Sequence, residues 1–265
     1  MAACGAPAQQ PINFAEETAR ARNLAANRLL ESGNLDGALA QYRLALEAAR
    51  SVENFELMGS ILLNLSLAHA KSFQWVEAHG AVDTLIASPA NFAPALAGQA
   101  RARKALLHLD QGNLPAALNL ANDAERGCAT PCPFAAALAN LRAFVAIEQG
   151  RYEEAAALGM RARELANKTE SEQATASRLQ GRALSLMGRH ADALTALTQA
   201  LQLDKTLGAS ASITLDLIYL GDAESRRQGF AAARDYYERA LAVSMASGDT
   251  QGAALARARA NAVPK

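Results

Sequence analysis

The chain has 265 residues, 51% of them hydrophobic and 20% charged, and its 26 lysines and arginines balance its 26 aspartates and glutamates. This is an ordinary globular composition. Zero net charge excludes a partner held mainly by electrostatics, such as nucleic acid or an acidic membrane surface, because either needs a basic excess. Nothing approaches the roughly 18 consecutive apolar residues that a bilayer span needs. Aromatic residues are only 5%, while 64 residues are alanine, so the apolar content suits closely spaced helices better than a bulky core.

The first residues read Met1-Ala2-Ala3-Cys4-Gly5. Ala-Ala-Cys-Gly resembles the end of a bacterial lipobox, in which the cysteine becomes the lipid-bearing first residue. The resemblance implies lipidation at Cys4, a leader cut away before it, and Met1 as an added start. Residues 1–12, small and polar with two prolines, are expected to form a flexible tether. Asn13 then offers a helix cap, with Glu16 three residues on as the reciprocal partner.

From there the chain repeats itself, and a fixed period is the mark of a repeat architecture. Gly33-Asn-Leu leads to Ala38, Phe73-Gln-Trp to Ala78, Gly112-Asn-Leu to Ala117, Gly150-Arg-Tyr to Ala155, Gly188-Arg-His to Ala193 and Gln228-Gly-Phe to Ala233. The alanines are 40, 39, 38, 38 and 40 residues apart. Seven residues after them stand Ala45, Leu85, Ala124, Ala162, Ala200 and Ala240; twelve before them stand Ala26, Ser66, Ala105, Ala143, Gly181 and Gly221. All but Leu85 are small. Two antiparallel helices joined by a short turn can approach closely only where small residues cross, with bulky neighbours filling the gaps. Tyr42, Val82, Leu197 and Tyr237 are the expected fillers. Ala121 and Gly159 stand where fillers would be, so the third and fourth repeats should pack more tightly or more loosely than the others.

Between the third and fourth repeats lies Gly127-Cys-Ala-Thr-Pro-Cys-Pro133, whose prolines forbid a regular helix. Two cysteines four apart in a turn can reach disulfide distance. A redox pair or half a metal site is the sharper reading, but no second pair at ligand spacing accompanies Cys128 and Cys132. A structural disulfide is preferred, and it agrees with an extracytoplasmic compartment. After the sixth repeat, Gly248-Asp249 opens an Ala- and Arg-rich segment fit to cap an exposed end. The division expected is therefore a tether over 1–12, six repeats over 13–249, and a capping helix with tail over 250–265.

The small residue late in the first helix, the Gly-Asp/Asn-aromatic turn and the two alanines of the second helix resemble the tetratricopeptide repeat. Leu220-Gly221 through Gln228-Gly-Phe to Asp235-Tyr-Tyr-Glu-Arg-Ala-Leu241 is the clearest copy. The resemblance implies an all-α, right-handed superhelical solenoid of about six antiparallel helix pairs with a C-terminal capping helix. The period of 38–40 residues exceeds the family's usual ~34, so each repeat must place about one extra helical turn in its helices or its loops.

No phosphate-binding loop, paired-histidine metal motif or nucleophile elbow is present in the sequence. The reading is a non-enzymatic chain with no cofactor, no metal and no nucleic-acid partner. What the resemblance implies instead is a groove lined by the first (A) helices that takes a peptide or protein partner. By the register, Asn23, Asn27, Asn64, Gln99, Arg103, Asn140, Arg178, Arg182, Asp222 and Arg226 fall on it. Some family members clamp a terminal carboxylate with lysine, asparagine, asparagine, lysine and arginine; Asn27, Asn64 and Arg103 match that pattern, while Asn23 and Gln99 replace the lysines. Losing those charges removes most of the attraction for a carboxylate. Together these features resemble tetratricopeptide lipoproteins of the bacterial envelope, which implies a periplasmic scaffold anchored to the outer membrane and serving pilus or secretin assembly. The alternative is a cytoplasmic co-chaperone or regulatory adaptor.

Overall fold

The computed structural model describes residues 13–264. Thirteen α-helices account for nearly all of them: α1 Phe14–Glu31, α2 Leu35–Arg50, α3 Phe55–Lys71, α4 Trp75–Ala87, α5 Pro94–Asp110, α6 Leu114–Arg126, α7 Ala135–Glu148, α8 Tyr152–Ala166, α9 Glu170–Leu186, α10 His190–Leu207, α11 Ser210–Arg226, α12 Phe230–Ser247 and α13 Thr250–Ala262. Odd-numbered helices are the A helices and even-numbered ones the B helices of six pairs, with α13 the added terminal helix. Each odd helix up to α11 packs on the even helix that follows it. The Cys4 reading lies outside the described residues.

Packing divides the chain into two compact units, residues 1–129 and 130–265. The boundary falls inside the turn that holds Cys128 and Cys132. The first unit builds its main core from α1–α5, around Ala26, Tyr42, Ile61, Val82, Leu85 and Leu107. The second builds its own from α7–α13, around Ala143, Leu179, Leu197, Leu217, Ile218 and Tyr237.

Helix starts follow local chemistry. The side chains of Asn13, Asn34, Asn54, Asn113 and Asp249 each accept a hydrogen bond from a backbone N–H of the first turn, satisfying donors that the helix itself leaves unpaired. The hairpin turns use one residue in the left-handed region. Glycine holds it at Gly33, Gly112, Gly150 and Gly188, with φ between 74 and 80°. In the second repeat Phe73 takes it, at φ 56°, and in the sixth Gln228 does, at φ 69°. The glycine visible in the sixth turn is thus not the one that bends it; a methyl group on Gly229 would meet the movable carboxylate of Glu224.

The small residues at the helix crossings act as the repeat pattern requires. A methyl group on Gly221 would come within 2.5 Å of the Tyr237 ring, and one on Gly181 within 2.6 Å of Leu197. At the fourth repeat the filler position holds Gly159, and α8 moves in: a methyl there would lie 2.9 Å from Gln180 Cβ and 3.1 Å from two backbone atoms of α9. Of the two outcomes left open by the sequence, tight packing is the one found at Gly159, between α8 and the first helix of the next repeat.

The extra residues of the long period are spent differently in the two units. In the second, α10 and α12 have 18 residues each, joined to the next helix through a left-handed glycine, Gly208 or Gly248. In the first, α4 and α6 have only 13, and the surplus goes into the connections 88–93 and 127–134. Pro89, Pro131 and Pro133 occupy those connections, and proline cannot continue a helix interior.

Candidate functional site: the A-helix faces

In the first unit the predicted residues form a neutral amide cluster. Asn64 Nδ2 donates to Asn23 Oδ1 at 3.2 Å and to Asn27 Oδ1 at 3.3 Å. Tyr42, rooted in α2, donates its hydroxyl to the same Asn27 oxygen at 2.6 Å. Burial raises the Tyr42 pKa, and Glu31 adds to the effect. Gln99 and Arg103 stand half-buried on α5. The structure therefore brings Asn23, Asn27 and Asn64 together, and the asparagines satisfy one another.

In the second unit the predicted residues divide by role. Asn140 is buried, and its Nδ2 donates to Glu172 Oε2 at 2.7 Å and to the Glu172 carbonyl at 3.2 Å; it ties α7 to α9. Arg178 is also buried and bound to Asp204 and Asp216. Neither presents itself to a ligand as the register had placed them, because each is consumed by a partner on a neighbouring helix.

Arg182, Asp222 and Arg226 do converge. They line a cavity of about 110 Å³ with Ser185, Leu186, Tyr219 and Arg259. Asp222, Arg226 and Arg259 also line an adjoining cavity of about 240 Å³ with Ser225, Tyr237, Ala262 and Val263. Arg182 lies between the rings of Phe144 and Tyr219, 5.8 and 5.4 Å from their centroids, and donates to Glu148 Oε1 at 2.9 Å. Such stacking holds a guanidinium flat. Arg259 Nε is 3.2 Å from Asp222 Oδ1, and the Tyr237 hydroxyl donates to that same oxygen at 2.7 Å. Burial, and then the bond to Asp222, raise the Tyr237 pKa, so the hydroxyl keeps its proton. Arg226 makes one hydrogen bond, to Ser185 Oγ at 3.3 Å.

The charge count decides what this pocket can take. Three arginines stand against Asp222 and Glu148, which leaves about one positive charge, carried by the guanidinium with the weakest partner, Arg226. An exposed guanidinium so placed, with one long hydrogen bond to a neutral partner, favours an anionic or strongly accepting group. The register missed Arg259, Ser185 and Tyr219. Arg259 was legible only as part of an Ala- and Arg-rich cap, since the capping helix has no turn motif to set its register.

No curated protein matches the chain in sequence. Residues 134–206, spanning most of α7–α10, match the family model described as tetratricopeptide repeat. Among solved structures, the chain is similar to a Rap protein complexed with competence and sporulation factor (TM-score 0.65, 15% identity, covering 90% of this chain and 69% of that one). It is similar to a chain of the APC/C hetero-tetramer Cut9-Hcn1 (TM-score 0.71, 15% identity, 92% of this chain), of whose length it spans only 43%. It is also similar to a thermophilic tetratricopeptide protein of Thermus thermophilus (TM-score 0.53, 20% identity, 74% of this chain and 98% of that one). At these identities the likeness is one of fold. The fold of the chain is thus the all-helical tetratricopeptide solenoid, and its residues 134–206 carry the family's sequence signature.

Proposed function

We propose that the protein is a non-enzymatic scaffold that holds a peptide or protein partner on its A-helix face, with Arg226 and Arg259 of the second unit as the main contacts. The observation that carries this reading is the convergence of Arg182, Arg226 and Arg259 on one pocket beside Ser185 and Tyr219. A partner segment presenting an acidic side chain or a run of carbonyl oxygens fits the net charge there. Two of the similar solved structures support the reading, one complexed with competence and sporulation factor and one a hetero-tetramer.

The same proposal places the protein in the periplasm, lipid-anchored to the outer membrane through Cys4, with Cys128 and Cys132 oxidised, assisting assembly of an envelope complex such as a type IV pilus or secretin. The Ala-Ala-Cys-Gly start and the paired cysteines support that compartment. Mass spectrometry of the full-length gene product made in a bacterial host should find an acyl mass on Cys4; an unmodified cytosolic product would instead favour the cytoplasmic adaptor. For the groove, an R226A/R259A double variant should lose the partners that wild type retains from an envelope extract. An unchanged partner set would remove the second unit's A-helix face from consideration.

A further inference from the structure

Helices α9, α10 and α11 meet around three charged side chains that the groove does not use. Arg178 is 8% exposed, Asp204 3% and Asp216 0%. Arg178 Nε donates to Asp216 Oδ1 at 2.6 Å, and its terminal nitrogen donates to Asp204 Oδ2. One guanidinium against two carboxylates leaves one negative charge unmatched if both are ionised, and an unmatched charge in a buried, low-dielectric site is strongly disfavoured. The atom that would bear it is identifiable: Asp216 Oδ2 is buried and receives no hydrogen bond. A proton on it removes the charge and makes it a donor toward Asp204.

We propose that Arg178, Asp204 and Asp216 form a proton-operated latch, in which one proton shared by the two carboxyl groups makes the triad neutral and fastens α9, α10 and α11, while loss of that proton loosens them. The arrangement is closed to other influences. Of the helices packed against α11, α9 supplies Arg178 and α10 supplies Asp204; no group of α12 or α13 acts on Asp216 among the described residues. Burial is the largest influence on the Asp216 carboxyl; Arg178 opposes it and Asp204 reinforces it, and the result is a pKa pushed from 3.8 up to about 7. The folded state thus holds a proton that the unfolded chain has already released. The latch is firmest at the acid end of this window, weakens as the pH rises from about 4 to about 7, and changes little beyond. Arg178 lies one helical turn before Arg182 on the same helix, so the latch also steadies the helix that carries a groove arginine.

The test uses the full chain and does not depend on any partner. Amide hydrogen exchange of the segment 170–226 is followed from pH 5 to 8 by mass spectrometry, with the intrinsic chemical rate divided out. In wild type the opening equilibrium of this segment should rise with pH, by up to about tenfold per unit in the steepest part. In D216N the amide donates permanently toward Asp204, and that pH dependence should disappear. An infrared carbonyl band of a protonated carboxyl at pH 6, absent in D216N, gives a second reading on the folded wild-type protein. Opening that is independent of pH in wild type, an unchanged pH dependence in D216N, or no protonated carboxyl band would each overturn the latch.

Discussion

The first and sixth helix pairs use one backbone plan with opposite chemistry. In each, a B-helix tyrosine reaches back 15 residues to the A helix and hydrogen-bonds the residue that follows the small crossing position: Tyr42 to Asn27 beside Ala26, and Tyr237 to Asp222 beside Gly221. Around Asn27 the neighbours are asparagines; around Asp222 they are arginines. The contrast shows that the geometry of the pair does not depend on charge. It is set by the small residue and the ring packed on it, and the polar partner is free to be neutral or ionic.

Three pairs of substitutions sharpen this comparison, beginning with the largest expected effect. Asn23 and Arg178 occupy equivalent positions, three residues before the small crossing residue. R178A should destabilise the second unit by about 3–5 kcal/mol, because the buried Asp204–Asp216 pair, which keeps one negative charge when it shares a proton, loses the guanidinium that balances it. N23A should cost the first unit only about 1 kcal/mol, for one amide hydrogen bond in a half-exposed cluster. Urea unfolding followed by hydrogen exchange in each unit measures both; similar losses at the two sites would contradict the division into a neutral and an ionic face.

The tyrosine hydroxyls come next. Y237F removes a bond to a carboxylate and should cost about 1.5–3 kcal/mol, whereas Y42F removes a bond to an amide and should cost about 0.5–1.5 kcal/mol. The same denaturation experiment reads the difference, and a larger loss for Y42F would mean that Arg259 alone satisfies Asp222. The smallest effect concerns the turns. G188A should cost about 1–2 kcal/mol because alanine resists the left-handed conformation that Gly188 adopts. F73G should relieve that same strain but lose the edge contact between Phe73 and Trp75, whose centroids are 6.0 Å apart, leaving a net change under about 1 kcal/mol.

What could be read from the sequence follows from how local the determinant is. The helix pairs were legible because turn, crossing residue and filler lie within one repeat, and spacing alone orders them. The asparagine cluster, which joins two neighbouring repeats, was legible because the register places Asn23, Asn27 and Asn64 on one face. The fates of Asn140 and Arg178 were not, because each depends on an acid one or more helices away: Glu172 for one, Asp204 and Asp216 for the other. Phe73 and Gln228 illustrate a further limit. A left-handed turn residue is recognisable when it is glycine, whereas a side chain forced into that conformation by its neighbours carries no mark of it.

The tyrosine bridge has a consequence for how such a chain changes over time. Since the ring holds the helix pair whether it meets an amide or a carboxylate, an exchange between Asn and Asp at that position shifts the surface charge by one unit while the framework stays in place. A repeat array built this way can be re-addressed to a new partner one face at a time, and the cost in folding is confined to the pair that was edited.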